Sequence, residues 1–266
     1  MEPWKTSCQR EVDWALEISL AKKIALVTGA GSGLGKAMAL AFAQAGADLV
    51  LVDLNLPSIE MVEKEISAMG RRAIALRADV SRKEEVNEAV KQGIGKFGRI
   101  DILVNNAGTI FRKPMLDYTD NDWDLVIDVN LKGTFLFTYA VGKQMIAQRY
   151  GRIINIASIM GGVALPPRAS YCASKGGIVM LTKEVAVEWA EYGITCNSIS
   201  PGWMAIGLGE QIRAQEELSK FLLARIPLKR FGAGSDVSNL ALFLASDLSG
   251  YITGQNIYVD GGWTAQ

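Results

Sequence analysis

The sequence predicts a doubly wound α/β domain, a parallel sheet with helices on both faces. Three observations carry that expectation. From Lys23 onward, short and nearly continuous apolar runs alternate with helix-period stretches, the pattern of strands buried on both sides between crossover helices. No Gly/Ser-rich or Pro-rich linker divides the rhythm, so one domain is expected over 21–266, preceded by an arm over 1–20. The first apolar run enters a glycine-rich turn and then a helix, the place where open α/β sheets receive dinucleotides.

Ile24–Val27 is the first strand, and Leu34–Ala45, free of Pro and rich in helix formers, the first helix. Asp48–Asp53 follows as a strand, Ser58–Met69 as a helix, Ala73–Leu76 as a strand and Glu84–Phe97 as a helix. Ile102–Val104, Ile153–Ile156, Thr195–Ile199 and Ile257–Val259 read as later strands. Gly202–Gly209 is irregular and leads into a polar helix from Glu210 to Leu223. Placed after a strand end, it reads either as a lid over a site or as an ordinary surface excursion.

The 266 residues (28.8 kDa) hold enough apolar material, 49%, for a continuous core. Lys plus Arg and Asp plus Glu are 28 each, and no basic block marks a nucleic-acid face, so none is expected. There is no histidine, which excludes the commonest catalytic base, His-containing metal sites and the Ser-His-Asp triad. Cys8, Cys172 and Cys196 lack metal-ligand spacing, so no metal is expected and a reducing, cytoplasmic setting is the simpler reading. Met1–Leu20 carries Glu2, Glu11, Asp13 and Glu17 without a long apolar run, and is read as neither signal peptide nor membrane anchor. Its Trp4 and Trp14 are expected to pack on the domain or on a neighbouring subunit.

The turn Thr28-Gly29-Ala30-Gly31-Ser32-Gly33-Leu34-Gly35 has glycines where a backbone must approach a ligand and a helix must pack close to a strand. The helix after it points free N–H groups at a pyrophosphate. Asp53 closes the second strand; a carboxylate there accepts both ribose hydroxyls and repels a 2′-phosphate, so NAD is expected over NADP. Asp79-Val80 follows the third strand, within reach of an adenine amino group, and Asn105-Asn106-Ala107-Gly108 offers a small-residue floor beside the cofactor.

Tyr171 and Lys175 share one face of a helix. Without histidine, a tyrosine can carry the proton of ketone reduction or alcohol oxidation if its pKa falls toward neutrality. An ammonium about 4 Å away supplies up to about 4 kcal/mol toward such a fall. A Tyr/Lys pair is also common on any exposed helix, so spacing alone leaves the question open.

Together, Thr28–Gly35, Asp79, Asn105–Gly108, Asn130, Ser158, Tyr171…Lys175, Pro201-Gly202 and Asp260-Gly261-Gly262 resemble the classical short-chain dehydrogenase/reductase family, from about Ser19 to Trp263. The resemblance implies a single Rossmann-type domain with a seven-stranded parallel sheet, usually a homotetramer and sometimes a homodimer. It implies Tyr171 as general acid/base, Ser158 on the same substrate oxygen and Lys175 lowering the pKa of Tyr171 while binding the nicotinamide ribose. It also implies Asn130 holding helix backbone and a water in a proton relay. The implied cofactor contacts are Gly29, Ser32, Gly33, Leu34, Gly35, Asp53, Asp79, Val80, Asn106, Tyr171, Lys175 and Met204. One position departs from the pattern: Ile206 stands where many members have a threonine that contacts the nicotinamide carboxamide, leaving backbone atoms of Met204 or Ile206 for that role.

Within the family, Asn105–Ile110, Ile153–Ser158, Arg225-Ile226-Pro227 and Val259–Trp263 are most like sugar-acid dehydrogenases of the 2-deoxy-D-gluconate and gluconate 5-dehydrogenase types. An anionic sugar acid requires cations at the pocket; the candidates are Arg112, Lys113, Arg168 and Arg213, with Arg112 and Arg168 best placed. The rival readings are a 3-oxoacyl-carrier-protein reductase or other polyol or ketone reductase, and a dinucleotide-binding structural or regulatory protein without turnover.

Overall fold

The computed structural model describes residues 18–207 and 215–266. The expected arm, with Trp4, Trp14 and Cys8, therefore lies almost wholly outside the described residues, as do Arg213 and the middle of the supposed lid.

Seven strands form one sheet in the order β3-β2-β1-β4-β5-β6-β7, and every pairing is parallel. They are β1 (Ile24–Thr28), β2 (Asp48–Asp53), β3 (Ala73–Arg77), β4 (Ile102–Asn105), β5 (Gly151–Ile156), β6 (Ile194–Pro201) and β7 (Asn256–Val259). The described helices are α1 (Gly33–Gln44), α2 (Leu56–Ala68), α3 (Lys83–Phe97), α4 (Asp120–Ile127), α5 (Gly133–Gln148), α6 (Ala169–Trp189), α7 (Glu216–Arg225) and α8 (Gly234–Ala245). The expected doubly wound architecture is what the chain adopts.

Strand alternation divides the core between two faces. Ala25, Val27, Leu49 and Leu51 point to a layer with Met38 and Phe42 of α1, Ile59 of α2 and Val237 of α8. Leu26, Val50 and Val52 point to the other, with Val90 of α3, Phe137 and Val141 of α5 and Val185 of α6. Both sides of each central strand are buried, which explains why the strands read as continuous apolar runs.

Element boundaries differ from expectation where end chemistry decides them. Helix α2 starts at Leu56 rather than Ser58, because Pro57 is tolerated in a first turn and the Asn55 side chain accepts a hydrogen bond from Ser58 N (3.2 Å). Between α4 and α5 the chain stays helical through one wider π turn, Asp128–Lys132, which no residue pattern announced. The polar helix expected from Glu210 begins, among described residues, at Glu216. No helix among the described residues is long and apolar enough to cross a membrane.

Candidate active site

Strand order reverses between β1 and β4, and at the carboxyl ends of these strands lies a cleft of about 580 Å³, where a doubly wound sheet binds its ligand. Gly29, Ser32, Gly33, Leu34, Asp53, Asp79, Val80 and Asn106 line one part of it; Ser158, Tyr171, Lys175, Met204, Arg112 and Arg168 line the rest. Gly35 lies behind the lining: a Cβ there would overlap the Gly29 carbonyl oxygen, so α1 can lie this close to β1 only with glycine.

The glycine turn ends at α1, whose first turn has no acidic residue and whose Ser32 N-cap makes no side-chain hydrogen bond. Its leading N–H groups thus meet the cleft uncapped, the arrangement a pyrophosphate requires. Asn106 braces the turn: its Nδ2 donates to Thr28 O (3.0 Å) and Gly29 O (3.1 Å). Thr28, given no role of its own in the sequence beyond opening the glycine turn, has its Oγ1 accept from the N–H groups of Asn106 and Ala107 (both 3.0 Å), stitching the ends of β1 and β4 together. Its place as the last residue of β1, before the first glycine, was the available signal. Asp79 is likewise engaged: its Oδ1 accepts from Ser81 N (2.9 Å) and Ser81 Oγ (2.7 Å). Burial pulls its pKa up, but the Ser81 hydrogen bonds and the Arg82 charge outweigh that and hold it below the usual range.

Tyr171 and Lys175 both stand near the start of α6. The Lys175 ammonium is buried, donates to Ile156 O (2.7 Å) and lies 5.6 Å from the Tyr171 ring centroid. With no carboxylate among the described residues against it, burial lowers its pKa to about 8. The depressed tyrosine pKa expected from sequence is not what this arrangement produces. Burial pushes the phenol above its usual value, while a hydrogen bond with Ser158 and the positive charges of Arg112 and Arg168 pull the other way. Lys175 reaches past the ring to the Ile156 carbonyl.

Asn130 sits in the π turn, fully buried. Its Oδ1 accepts from Thr109 N (2.7 Å), and its Nδ2 donates to Thr109 O (2.9 Å) and Ser174 Oγ (3.0 Å). It thereby clamps the loop after β4 to α6; Ser174 is a partner that sequence reasoning missed. A Cβ placed on Gly108 would lie 3.3 Å from Asn130 Oδ1 and 3.6 Å from Lys175 Nζ, so both groups converge on one small residue.

Among the candidate cations, Lys113 is paired with Asp122 (3.1 Å). Arg112 and Arg168 line the cleft, and neither forms an ion pair with a described carboxylate. Of the lid, Gly202–Met204, Ile206 and Gly207 line the cleft, while 208–214 lie outside the described residues. Ala205 N donates to Gly232 O (2.7 Å) and Gly232 N to Trp203 O (2.9 Å), so the segment around Met204 is pinned. Among the described residues no His/Cys/Asp/Glu cluster could hold a metal.

A family profile described as enoyl-(acyl carrier protein) reductase matches residues 29–264. The chain is 44% identical over 252 residues to a 2-dehydro-3-deoxy-D-gluconate 5-dehydrogenase of Escherichia coli K12, covering 93% of this chain and 98% of that protein. It is 42% identical over 241 residues to a 3-oxoacyl-[acyl-carrier-protein] reductase of Staphylococcus epidermidis, covering 90% and 98%. The solved gluconate 5-dehydrogenase of Burkholderia cenocepacia J2315, in complex with NADP and tartrate, superposes with a TM-score of 0.90 at 36% identity, covering 94% and 98%.

The expected preference for NAD over NADP is overturned, because this and other solved relatives hold NADP. Asp53 Oδ2 accepts from Gly31 N and Oδ1 from Asn55 N, both at 3.0 Å, and Arg77, its neighbour in register on β3, pairs with Glu85 (3.6 Å). With the matched profile, the relatives and the sheet in agreement, the chain belongs to the short-chain dehydrogenase/reductase family, NAD(P)-dependent oxidoreductases acting on CH–OH groups.

Proposed function

We propose that this enzyme interconverts a secondary alcohol and a ketone on a sugar acid of the 2-dehydro-3-deoxy-gluconate or gluconate type. One observation carries the reading: Arg112 and Arg168 line the cleft without a carboxylate partner among the described residues. Burial lowers the Arg168 pKa, and the Arg112 charge lowers it further. Two like charges on the cleft wall, Arg168 half-buried and Arg112 exposed, favour an anion between them. Relatives that act on 2-dehydro-3-deoxy-D-gluconate, and a gluconate 5-dehydrogenase seen with tartrate, support the same class.

The cleft suits a dinucleotide, since uncapped N–H groups of α1 face it beside Gly29, Ser32, Gly33 and Leu34. When bound, the nicotinamide supplies or accepts the hydride. Asp53, Asp79, Val80 and Asn106 would hold the adenosine side and the turn; Met204 backbone atoms would hold the carboxamide in place of the side chain that Ile206 lacks. The Tyr171 phenol gives its proton to the carbonyl oxygen in reduction and takes one from the hydroxyl in oxidation. Ser158, which pulls the phenol pKa down against burial, donates to the same oxygen and steadies its developing charge. Lys175 would hold the ribose hydroxyls, and Asn130, clamped to the Thr109 loop, would keep a relay water in line with Lys175.

A 3-oxoacyl reductase is the second reading, favoured by the similar reductase and by the apolar Leu125, Val129, Ile159 and Met160 along the cleft. Reduced-nicotinamide absorbance over a panel of sugar acids, neutral sugars and acyl ketones, with NAD and NADP in parallel, separates the two. Tyr171-dependent turnover confined to sugar acids is the expected result; turnover of acyl ketones alone refutes the sugar-acid reading. The enzyme is further read as cytoplasmic, with Cys172 and Cys196 unpaired, and as a homotetramer or homodimer. Support for assembly comes from exposed Phe135 and Tyr139 on α5 and Met180 and Val187 on α6.

A further inference from the structure

The terminal Asp260-Gly261-Gly262 motif takes part in none of the chemistry described so far. Its geometry shows what it builds. Asp260 Oδ1 accepts from Gly262 N (2.9 Å), and Oδ2 from Thr264 N (2.8 Å) and Thr264 Oγ1 (2.6 Å). Gly261 and Gly262 adopt φ of +64° and +88°, open to glycine without strain. This closed turn sets the Trp263 indole edge-on against Trp203, with ring centroids 5.6 Å apart and planes at 68°.

Trp203 is anchored from behind as well. Gly202 N donates to Val259 O (2.9 Å), and a Cβ on Gly202 would lie 2.8 Å from Asp260 Cα. The Pro-Gly pair and the terminal motif are therefore packed backbone to backbone, and the bonds to Gly232 hold the residue from its other end. Across the indole lies Arg168, its guanidinium carbon 5.9 Å from the ring centroid, at the outer limit of about 6 Å for a cation–π contact. Arg168 Nη1 donates to Leu165 O (2.8 Å) and Pro166 O (3.0 Å). Carbonyls therefore fix one corner of the guanidinium and an aromatic ring backs it, while the residue lines the cleft.

We propose that Trp203 is a positioning residue for substrate carboxylate recognition: its indole, braced by Trp263, holds the Arg168 guanidinium toward the anion. The proposal rests on the sugar-acid reading above. An arginine side chain has several rotatable bonds, and a backing ring reduces the ordering needed at binding. The alternative is a plain apolar wall, which would serve charged and neutral substrates alike.

The test uses initial rates of the full-length enzyme with cofactor on D-gluconate and on D-sorbitol, which has a hydroxymethyl group in place of the carboxylate. Trp203→Leu is expected to raise KM for gluconate about tenfold, with a smaller change in kcat, and to erode the gluconate-over-sorbitol preference. Trp203→Phe, which keeps an aromatic face, should stay within about threefold of wild type and covers a Leu variant that fails to fold. Combined with Arg168→Gln, Trp203→Leu should add little to the single Arg168→Gln loss. Equal KM increases on both substrates, or losses that add fully in the double variant, overturn the proposal in favour of the wall. A wild type that neither turns over nor binds gluconate or 2-dehydro-3-deoxy-gluconate in preference to sorbitol removes the sugar-acid reading and the proposal together. A wild type with that preference and an unaffected Trp203→Leu variant removes the proposal alone.

Discussion

Lys175 is the residue whose environment makes the sharpest quantitative demand. Its folded pKa is lowered from 10.5 to about 8 by burial, so between those values the unfolded chain binds a proton that the folded chain has released. Stability must therefore rise with pH across that window, and below about pH 8 the full penalty of the buried ammonium is present. The gap corresponds to about 3 kcal/mol. Urea unfolding of wild type and Lys175→Met from pH 7 to 10 should show wild type gaining about 2–3 kcal/mol relative to the variant; parallel pH profiles would exclude the assigned burial effect. Tyr171→Phe, at the other end of the pair, should lower kcat by about a hundredfold or more while leaving the melting temperature near wild type. A variant retaining most of its turnover would remove the phenol from the proton step. That Tyr171 and Lys175 share one face of α6 was legible from their spacing; that they act as a pair came only from the family resemblance. The direction of the tyrosine pKa was not legible, because it depends on how deeply the ring is buried and on the carbonyl that Lys175 finds at the end of β5.

At the scale of elements, periodicity revealed what repeats and missed what occurs once. Strands β1 and β2 were visible because both faces of each are apolar. The π turn holding Asn130 was not, because one extra residue within a helix leaves no mark on a 3.6-residue pattern. Nor did apolar runs disclose the polar pair in register across β4 and β5, where Asn105 Nδ2 donates to Asn155 Oδ1 (2.8 Å) and to Thr138 Oγ1 (3.0 Å). The glycine turn is the reverse case, a local signal whose reason is tertiary. Gly35 faces the Gly29 carbonyl, and Asn106 Nδ2 lies on the same spot. Gly35→Ala should push α1 off β1, break the Asn106 brace and weaken NAD(P) binding at least tenfold by calorimetry, together with about 1–3 kcal/mol of stability. An alanine variant that binds cofactor as wild type does would show that the close approach of α1 is dispensable.

At the scale of the whole molecule, two neighbouring helices are left incompletely covered among the described residues. Phe135 and Tyr139 stack on the outer side of α5 at 6.0 Å, and Met180 and Val187 project from α6, the latter 81% exposed. Each pair shares a helix face, at i,i+4 and i,i+7, and both helices pack on the same side of the sheet as α3. An apolar strip along two adjacent helices is unusual on a lone domain and suits a second copy of itself, because a two-fold axis brings the strip onto its own image. Such an interface would also stiffen α6, which carries Tyr171 and Lys175 near its first turn, so assembly and catalysis should fail together. Val187→Glu with Met180→Lys, both outside the cleft lining, places two charges where burial would be expected and leaves the core untouched. Light scattering should report a smaller species for this double variant than for wild type, with a lower melting temperature that no longer depends on protein concentration. An unchanged mass would mean that these helices face solvent in the working enzyme, and that subunits, if they associate, meet through another surface.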